Sequence, residues 1–298
     1  MTHVATLIAP DGALSASVVD IARAMLPETR VPRWLSKSTA ADIPFSATPA
    51  CNLRDIADAV RTELGAPLDV VVQPAENRRK KLFLADMDST MIGQECIDEL
   101  ADYAGLKPQI AAITERAMRG EIEFEPALRE RVAALKGLSV TVINEVLAKR
   151  IRLTPGARTL VATMRANGAH TCLVSGGFTQ FVEYVAKHIG FDESRSNQLL
   201  VERNQLAGTV AEPIFGRDGK RAALHELRKR LGLKPEETLV AGDGANDLDM
   251  ILEAGLGVAY HAKPKVAEAA AARIDHGDLT ALLYAQGYRR GEFVSDEG

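Results

Sequence analysis

From Leu82 onward four short apolar runs recur: Leu82–Ala85, Thr171–Val174, Thr238–Ala241 and Leu256–Ala259. Each is too short for a buried helix and nearly free of polar positions, and the segments between them show helical spacing of apolar residues. Strands that are apolar on both sides need cover on both sides. That requirement points to a doubly wound α/β protein, with a parallel sheet between two layers of helices. No other feature of the chain narrows the fold as far.

The stretch between the first two runs is far longer than a usual strand-to-helix connection. It carries four amphipathic patterns, at Glu95–Ala104, Pro108–Met118, Glu125–Leu135 and Val140–Arg150. The reading is a helical cap inserted at about 93–152 over the carboxyl edge of the sheet. A hairpin is expected from Gln198–Val201 and Gln205–Val210, turning through Arg203-Asn204, and an Ala-rich helix near Ala267–Ala272. Residues 1–76 read differently. His3–Ala9 is strand-like, Ser15–Leu26 helical, Val31–Ser46 extended, Asn52–Leu64 helical and Leu68–Gln73 rich in β-formers. This predicts a small α+β unit of βαββαβ order. Pro74-Ala75-Glu76-Asn77 marks the boundary to a second unit, 77–298, and Arg78-Arg79-Lys80-Lys81 reads as a solvated linker.

Composition excludes little but is informative about partners. A formal charge of −4 offers no general attraction to nucleic acid or to an acidic membrane, and no apolar run reaches membrane-spanning length. Cys51, Cys96 and Cys172 are odd in number and fit no metal-ligand or redox spacing. Reduced thiols and the lack of a leader-like amino terminus point to a cytoplasmic protein. His170, His188 and His276 have no spacing that suggests a metal.

The chemistry gathers at the strand ends. After the first run come Asp86 and Asp88; after the second, Ser175-Gly176-Gly177; after the third, Gly242-Asp243-Gly244-Ala245-Asn246-Asp247. In an open α/β sheet these carboxyl ends share one edge, where ligands bind. Singly, each segment has an ordinary reading as a turn, an N-cap or an acidic helix start. Jointly, carboxylates meeting at one edge need a cation, and oxygen ligands favour Mg²⁺. Asp86, Asp243 and the backbone carbonyl of Asp88 are the expected metal ligands, with Asp247 in the metal shell. Asn246 is expected beside the substrate or helping Asp247 orient that shell. Lys220, at the start of a helix running to Leu231, is the fourth element, a cation for phosphate with Ser175 and Gly176 as donors. Asp86 is then placed to attack phosphorus and carry an aspartyl-phosphate, and Asp88 to serve as general acid and base.

These segments, Asp86-Met87-Asp88-Ser89-Thr90, Ser175-Gly176-Gly177, Lys220 and Gly242–Asp247, resemble the four motifs of the haloacid dehalogenase-like superfamily. The resemblance is strongest, over about 81–287, to its phosphoserine phosphatases. It implies hydrolysis of O-phospho-L-serine to L-serine and phosphate, the last step of serine biosynthesis. Within the cap it extends to Glu95, Met118, Phe124 and Arg131. By that resemblance Glu95 and Arg131 read the ammonium and carboxylate of the substrate, while Met118 and Phe124 exclude water. The first unit resembles an ACT-like domain, with Pro10-Asp11-Gly12 at its first strand–helix turn, and a homodimer is compatible with it.

Two other readings stand beside this one. A related phosphatase or phosphotransferase could act on another small phosphomonoester such as phosphohomoserine. In a different class, a signalling receiver would also carry an acceptor Asp and Mg²⁺ on a doubly wound sheet, but Asp88 and the inserted helices fit it poorly.

Overall fold

The computed structural model describes residues 1–10, 12–48, 51–118 and 121–295, with side chains at all of these except 117 and 118. Asp11 and the side chain of Met118, both singled out above, lie outside the described residues. The amino-terminal unit runs β1 (His3–Ile8), α1 (Ala16–Ala24), β2 (Arg33–Ser36), β3 (Ala40–Phe45), α2 (Leu53–Leu64) and β4 (Asp69–Pro74). Its four strands form an antiparallel sheet in the order β2-β3-β1-β4. Ser15 caps α1 by accepting from the Val18 N–H, and Asn52 caps α2 by accepting from Arg54. Period-2 alternation gives the sheet two buried faces. Ala5, Leu7, Ile43, Phe45, Val70 and Val72 pack under the helices. Ile8 and Val71, with Leu35 and Ala40, join the core of the larger unit instead.

The larger unit opens with β5 (Leu82–Ala85). The cap follows as α3 (Cys96–Tyr103), α4 (Lys107–Met118), α5 (Phe124–Ala134) and α6 (Thr141–Lys149). The chain then returns through α7 (Ala157–Ala166), β6 (His170–Phe178), α8 (Thr179–Ile189) and β7 (Glu193–Asn197). A two-stranded hairpin, β8 (Leu199–Glu202) and β9 (Gln205–Val210), turns at Arg203 and Asn204, both with positive φ. It adjoins the cap, since the Gly137 N–H donates to the Leu206 carbonyl and Leu206 N–H to that of Leu138. The remainder is α9 (Arg217–Arg230), β10 (Thr238–Gly242), α10 (Leu248–Glu253), β11 (Leu256–Tyr260), α11 (Pro264–Ala269), β12 (Ala272–Ile274) and α12 (Ala281–Ala285).

Six parallel strands in the order β12-β11-β10-β5-β6-β7 make the main sheet. The four apolar runs are its four central strands. Leu82 and Leu84 face α9 with Leu224 and Leu227, while Phe83 and Ala85 face the opposite layer. Burying each such leucine is worth roughly 1.5–3 kcal/mol. From β5 the chain winds first toward β7 and later toward β12, so the strand order reverses at β5. A crevice opens there at the carboxyl ends.

Two expectations fail. The Ala-rich segment is not one helix: α11 stops at Ala269, and Ala272 begins β12. Nor is Arg78-Arg79-Lys80-Lys81 a solvated linker. Arg78 donates to both carboxylate oxygens of Asp42 (2.7 and 3.0 Å), to Thr6 Oγ1 and to the Ala285 carbonyl. The Lys80 Nζ is buried on the Glu236 carbonyl at 2.7 Å. Arg79 pairs with Glu292 and lies over the Tyr288 ring, and Lys81 pairs with Glu237. Each charge found a partner on a segment distant in sequence.

Candidate active site

Asp86 follows β5, and its N–H donates to the Ala241 carbonyl of the neighbouring strand β10 (2.9 Å). This seats it beside the turn that leaves β10. In that turn the Asp247 side chain folds back, with Oδ2 accepting from the Gly244 N–H at 3.1 Å. A Cβ at Gly242 would lie only 2.5 Å from the Asp247 Cγ, so no side chain fits there. The close approach of Asp247 is what Gly242 allows. One carboxylate oxygen from each of Asp86, Asp243 and Asp247 lies within 4.8 Å of the others, and all three residues are buried.

Lys220 sits in the first turn of α9, fully buried, with Nζ 2.5 Å from Asp86 Oδ1 and 2.6 Å from Asp247 Oδ1. Burial alone would lower its proton affinity, but Asp247 and Asp86 reverse this and raise it. Lys220 is therefore charged. Burial pushes Asp86 up, with repulsion from Asp247 adding to it and Lys220 opposing it. Asp243 is raised to about 6 by burial, then by Asp247 and Glu95. Three clustered carboxylates thus share one buried ammonium, which pairs with two of them. Burial is the first cause of the raised affinities and repulsion from Asp247 the second, and a divalent cation would relieve that repulsion. The donor set fits such an ion, since all its atoms are oxygen. Asp247, expected in the surrounding shell, stands in the cluster itself.

Asp88 lies two residues beyond Asp86, just before a turn in which Ser89 has φ 56°. Its Oδ1 is buried and accepts no hydrogen bond. Burial raises its carboxyl to about 7, with Glu95 adding repulsion and hydrogen bonding from Cys96 opposing. Ser175, at the bend of β6, accepts the Gly177 N–H on Oγ at 2.9 Å, which leaves its own O–H to donate elsewhere.

The cap brings Phe124 down onto this edge. A Cβ at Gly176 would lie 3.3 Å from its Cζ, and one at Gly216 would lie 3.1 Å from its Cε1. Glu95 accepts from Ser89 Oγ at 2.7 Å. Arg131, on α5, is half-buried and its Nε donates to the Ala127 carbonyl of its own helix. Burial lowers its proton affinity, with Asp98 and then Glu95 countering. The acids beside it in sequence are engaged elsewhere: Glu130 by Arg116, Glu125 by Arg129. Asn246 folds its amide oxygen toward Gly244, where a Cβ would lie 2.4 Å away.

Two residues here were given no role from the sequence, although Thr90 closes the Asp86–Thr90 motif. Thr90, fully buried, directs its hydroxyl toward Asp243 Oδ1 at 3.5 Å. Asn197, at the end of β7, bonds to both Gly176 and Phe215. A lone Asn between two predicted strands gives no periodic or motif-like clue.

Comparison with known proteins places these residues in context. The family model of the haloacid dehalogenase-like hydrolases matches residues 83–252, from β5 through the Asp243–Asp247 turn. A phosphoserine phosphatase of a Polaromonas species is 49% identical over 208 residues, covering 68% of this chain and 88% of that protein. Among solved structures, a haloacid dehalogenase family hydrolase of Salmonella enterica serovar Typhi superposes with TM-score 0.83 at 28% identity. It covers 99% of this chain and all of that one. A probable phosphoserine phosphatase of Vibrio cholerae, in unliganded form, gives 0.75 at 28% identity, over 98% and 88%. Both structural similarities extend through the amino-terminal sheet.

Proposed function

The chain belongs to the haloacid dehalogenase-like hydrolases, and from that premise we propose that it hydrolyses O-phospho-L-serine to L-serine and inorganic phosphate. The observation that carries this reading is the pairing of two unlike carboxyl groups at the end of β5. Asp86 is held by Lys220, while Asp88 has a free buried oxygen and an affinity near neutrality.

Asp86 attacks phosphorus in line and forms the aspartyl-phosphate, and the P–O bond to the serine oxygen breaks. Asp88 gives its proton to that departing alkoxide, then takes one from the water that hydrolyses the acyl phosphate, and so returns to its starting state. Lys220, the Ser175 hydroxyl and the Gly176 N–H stabilise the equatorial oxygens. Mg²⁺ held by Asp86, Asp243 and the Asp88 carbonyl, with Asp247 and Asn246 beside it, would supply further neutralisation of the transferring group. Glu95 receives the substrate ammonium and Arg131 its carboxylate in a charge-assisted fork. Phe124 closes the mouth against water.

In this proposal residues 1–76 form an ACT-like unit and 77–298 the phosphatase with its cap at about 93–152. On this reading the protein is cytoplasmic, and light scattering tests for a homodimer. Among the described residues no helix is long and apolar enough to cross a membrane. The deciding experiment measures phosphate release from L-phosphoserine, phosphohomoserine and a phosphomonoester lacking both amino and carboxylate groups, with and without Mg²⁺. Strong preference for L-phosphoserine that depends on Mg²⁺ is expected. Equal rates on all three would overturn the assignment of Glu95 and Arg131, and a lasting Asp-phosphate without turnover would favour a receiver.

A further inference from the structure

Asn197 touches neither the carboxylate cluster nor the crevice, yet its side chain joins the two loops that do. It is buried, with 2% of its surface exposed. The Nδ2 group donates to the Gly176 carbonyl and to the Phe215 carbonyl, each at 2.9 Å, and Oδ1 accepts the Phe215 N–H at 2.6 Å. Those partners fix the orientation of the amide, because only Nδ2 can donate to carbonyls.

Each bond has a consequence in the same peptide or just beyond it. In a trans peptide the C=O and N–H point in opposite directions. Holding the Gly176 carbonyl therefore aims the Gly177 N–H the other way, where it meets Ser175 Oγ at 2.9 Å. With that acceptor position filled, the serine proton is free to turn to the edge where a phosphate oxygen would lie. On the second loop, Phe215 lays its ring against Gly219, where a Cβ would sit 2.7 Å from Cδ2. The Gly216 carbonyl accepts the Lys220 N–H at 3.0 Å, the bond that starts α9. The same two loops present Gly176 and Gly216, the seat of Phe124 from the cap.

We propose that Asn197 is a positioning residue: by tying the Ser175-Gly176-Gly177 bend to the Phe215-Gly216 turn, it sets the spacing between the hydroxyl and the lysine that bind one phosphoryl group. The catalytic arm of the test rests on the phosphatase reading; the binding arm needs only an anion site.

The test compares Asn197→Asp, which keeps the acceptor and loses both donors, with Asn197→Ser, which can restore one donor. Thr179→Val is the control, because Thr179 Oγ1 bonds only to the Asn197 backbone carbonyl and to Ser196. Orthovanadate binding is measured by calorimetry with Mg²⁺ present, and kcat and KM on L-phosphoserine and p-nitrophenyl phosphate. A misplaced donor pair costs on the order of 10²-fold in kcat. That loss is expected equally on both substrates in Asn197→Asp, with their ratio unchanged, and orthovanadate affinity should fall about tenfold or more. Asn197→Ser should fall between, and Thr179→Val should behave as wild type. Folded Asn197→Asp with kcat and orthovanadate affinity near wild type overturns the proposal, as does a loss that only tracks the unfolded fraction in a thermal melt. If Asn197→Asp does not fold, Asn197→Ser is judged by the same criteria. Wild-type protein inactive on L-phosphoserine would sink the substrate reading and leave the orthovanadate comparison to decide Asn197.

Discussion

A buried lysine between two carboxylates can serve structure or chemistry, and Lys220 allows the two to be separated. Its ion pairs with Asp86 and Asp247 offset its burial. Lys220→Ala should lower kcat on the order of 10²–10³-fold, as loss of one transition-state donor does. A purely structural lysine would instead lose activity only in step with unfolding, so kcat is read beside a denaturation curve. Asp86→Asn should abolish turnover, and Asp88→Asn should slow both formation and hydrolysis of the aspartyl-phosphate, resolved by rapid quench. At this scale the sequence was legible where residues of one chemistry recur at strand ends. Asp86, Asp243, Ser175 and Lys220 could be named because each follows an apolar run or a glycine-rich turn. Asn197 could not, since its role lies in two backbone carbonyls whose approach exists only after β6, β7 and α9 have assembled.

Elements were legible in proportion to their burial. The four central strands announce themselves by continuous apolarity, and the cap helices α3 to α6 by their spacing, with ends displaced by about one residue. The edge strands were missed for a physical reason. Glu193–Asn197 reads Glu-Ser-Arg-Ser-Asn, because an edge strand needs no apolar cover on its outer side, and Ala272–Ile274 is too short to show a period. Alanine spacing then suggested a helix through Ala272, where the sheet took the segment instead. The cap itself yields the next prediction. A charge-assisted contact is worth roughly 1.5–3 kcal/mol, so Arg131→Ala should raise KM for L-phosphoserine about 10- to 100-fold. On p-nitrophenyl phosphate, which has no carboxylate to grip, steady-state kinetics should show KM nearly unchanged. Unaltered selectivity would remove Arg131 from the site.

At the scale of the whole molecule, the least legible feature was how the two sheets join. A basic run after a Pro-containing segment looks like a linker, and nothing local says that Asp42 and Glu236 wait for it. Asp69 adds to the joint by accepting the N–H groups of Asp275, His276 and Gly277. Asp42→Ala leaves the Arg78 guanidinium with Thr6 and the Ala285 carbonyl, and losing a charged partner in this part-buried pair should cost about 1.5–3 kcal/mol, which urea denaturation would read. Deleting 1–76 should for the same reason give an unstable core rather than a deregulated enzyme. Lys80 makes the joint sensitive to pH, with a sign that can be worked out. Burial lowers its pKa from 10.5 to about 8, the charge of Arg78 adding to this and that of Glu236 opposing it. Below pH 8 both folded and unfolded chains carry the proton, and the folded state bears the full cost of a buried charge. Between about 8 and 10.5 the folded lysine is neutral while the unfolded one is still protonated, so the unfolded state binds more protons and stability rises with pH. The gain across that window is on the order of 3 kcal/mol. Other groups titrate there too, so the informative quantity is the difference between wild type and Lys80→Met. It should favour Lys80→Met at pH 7 and shrink toward zero by pH 10; a difference that stays flat would mean that Lys80 keeps its ordinary affinity in the folded protein.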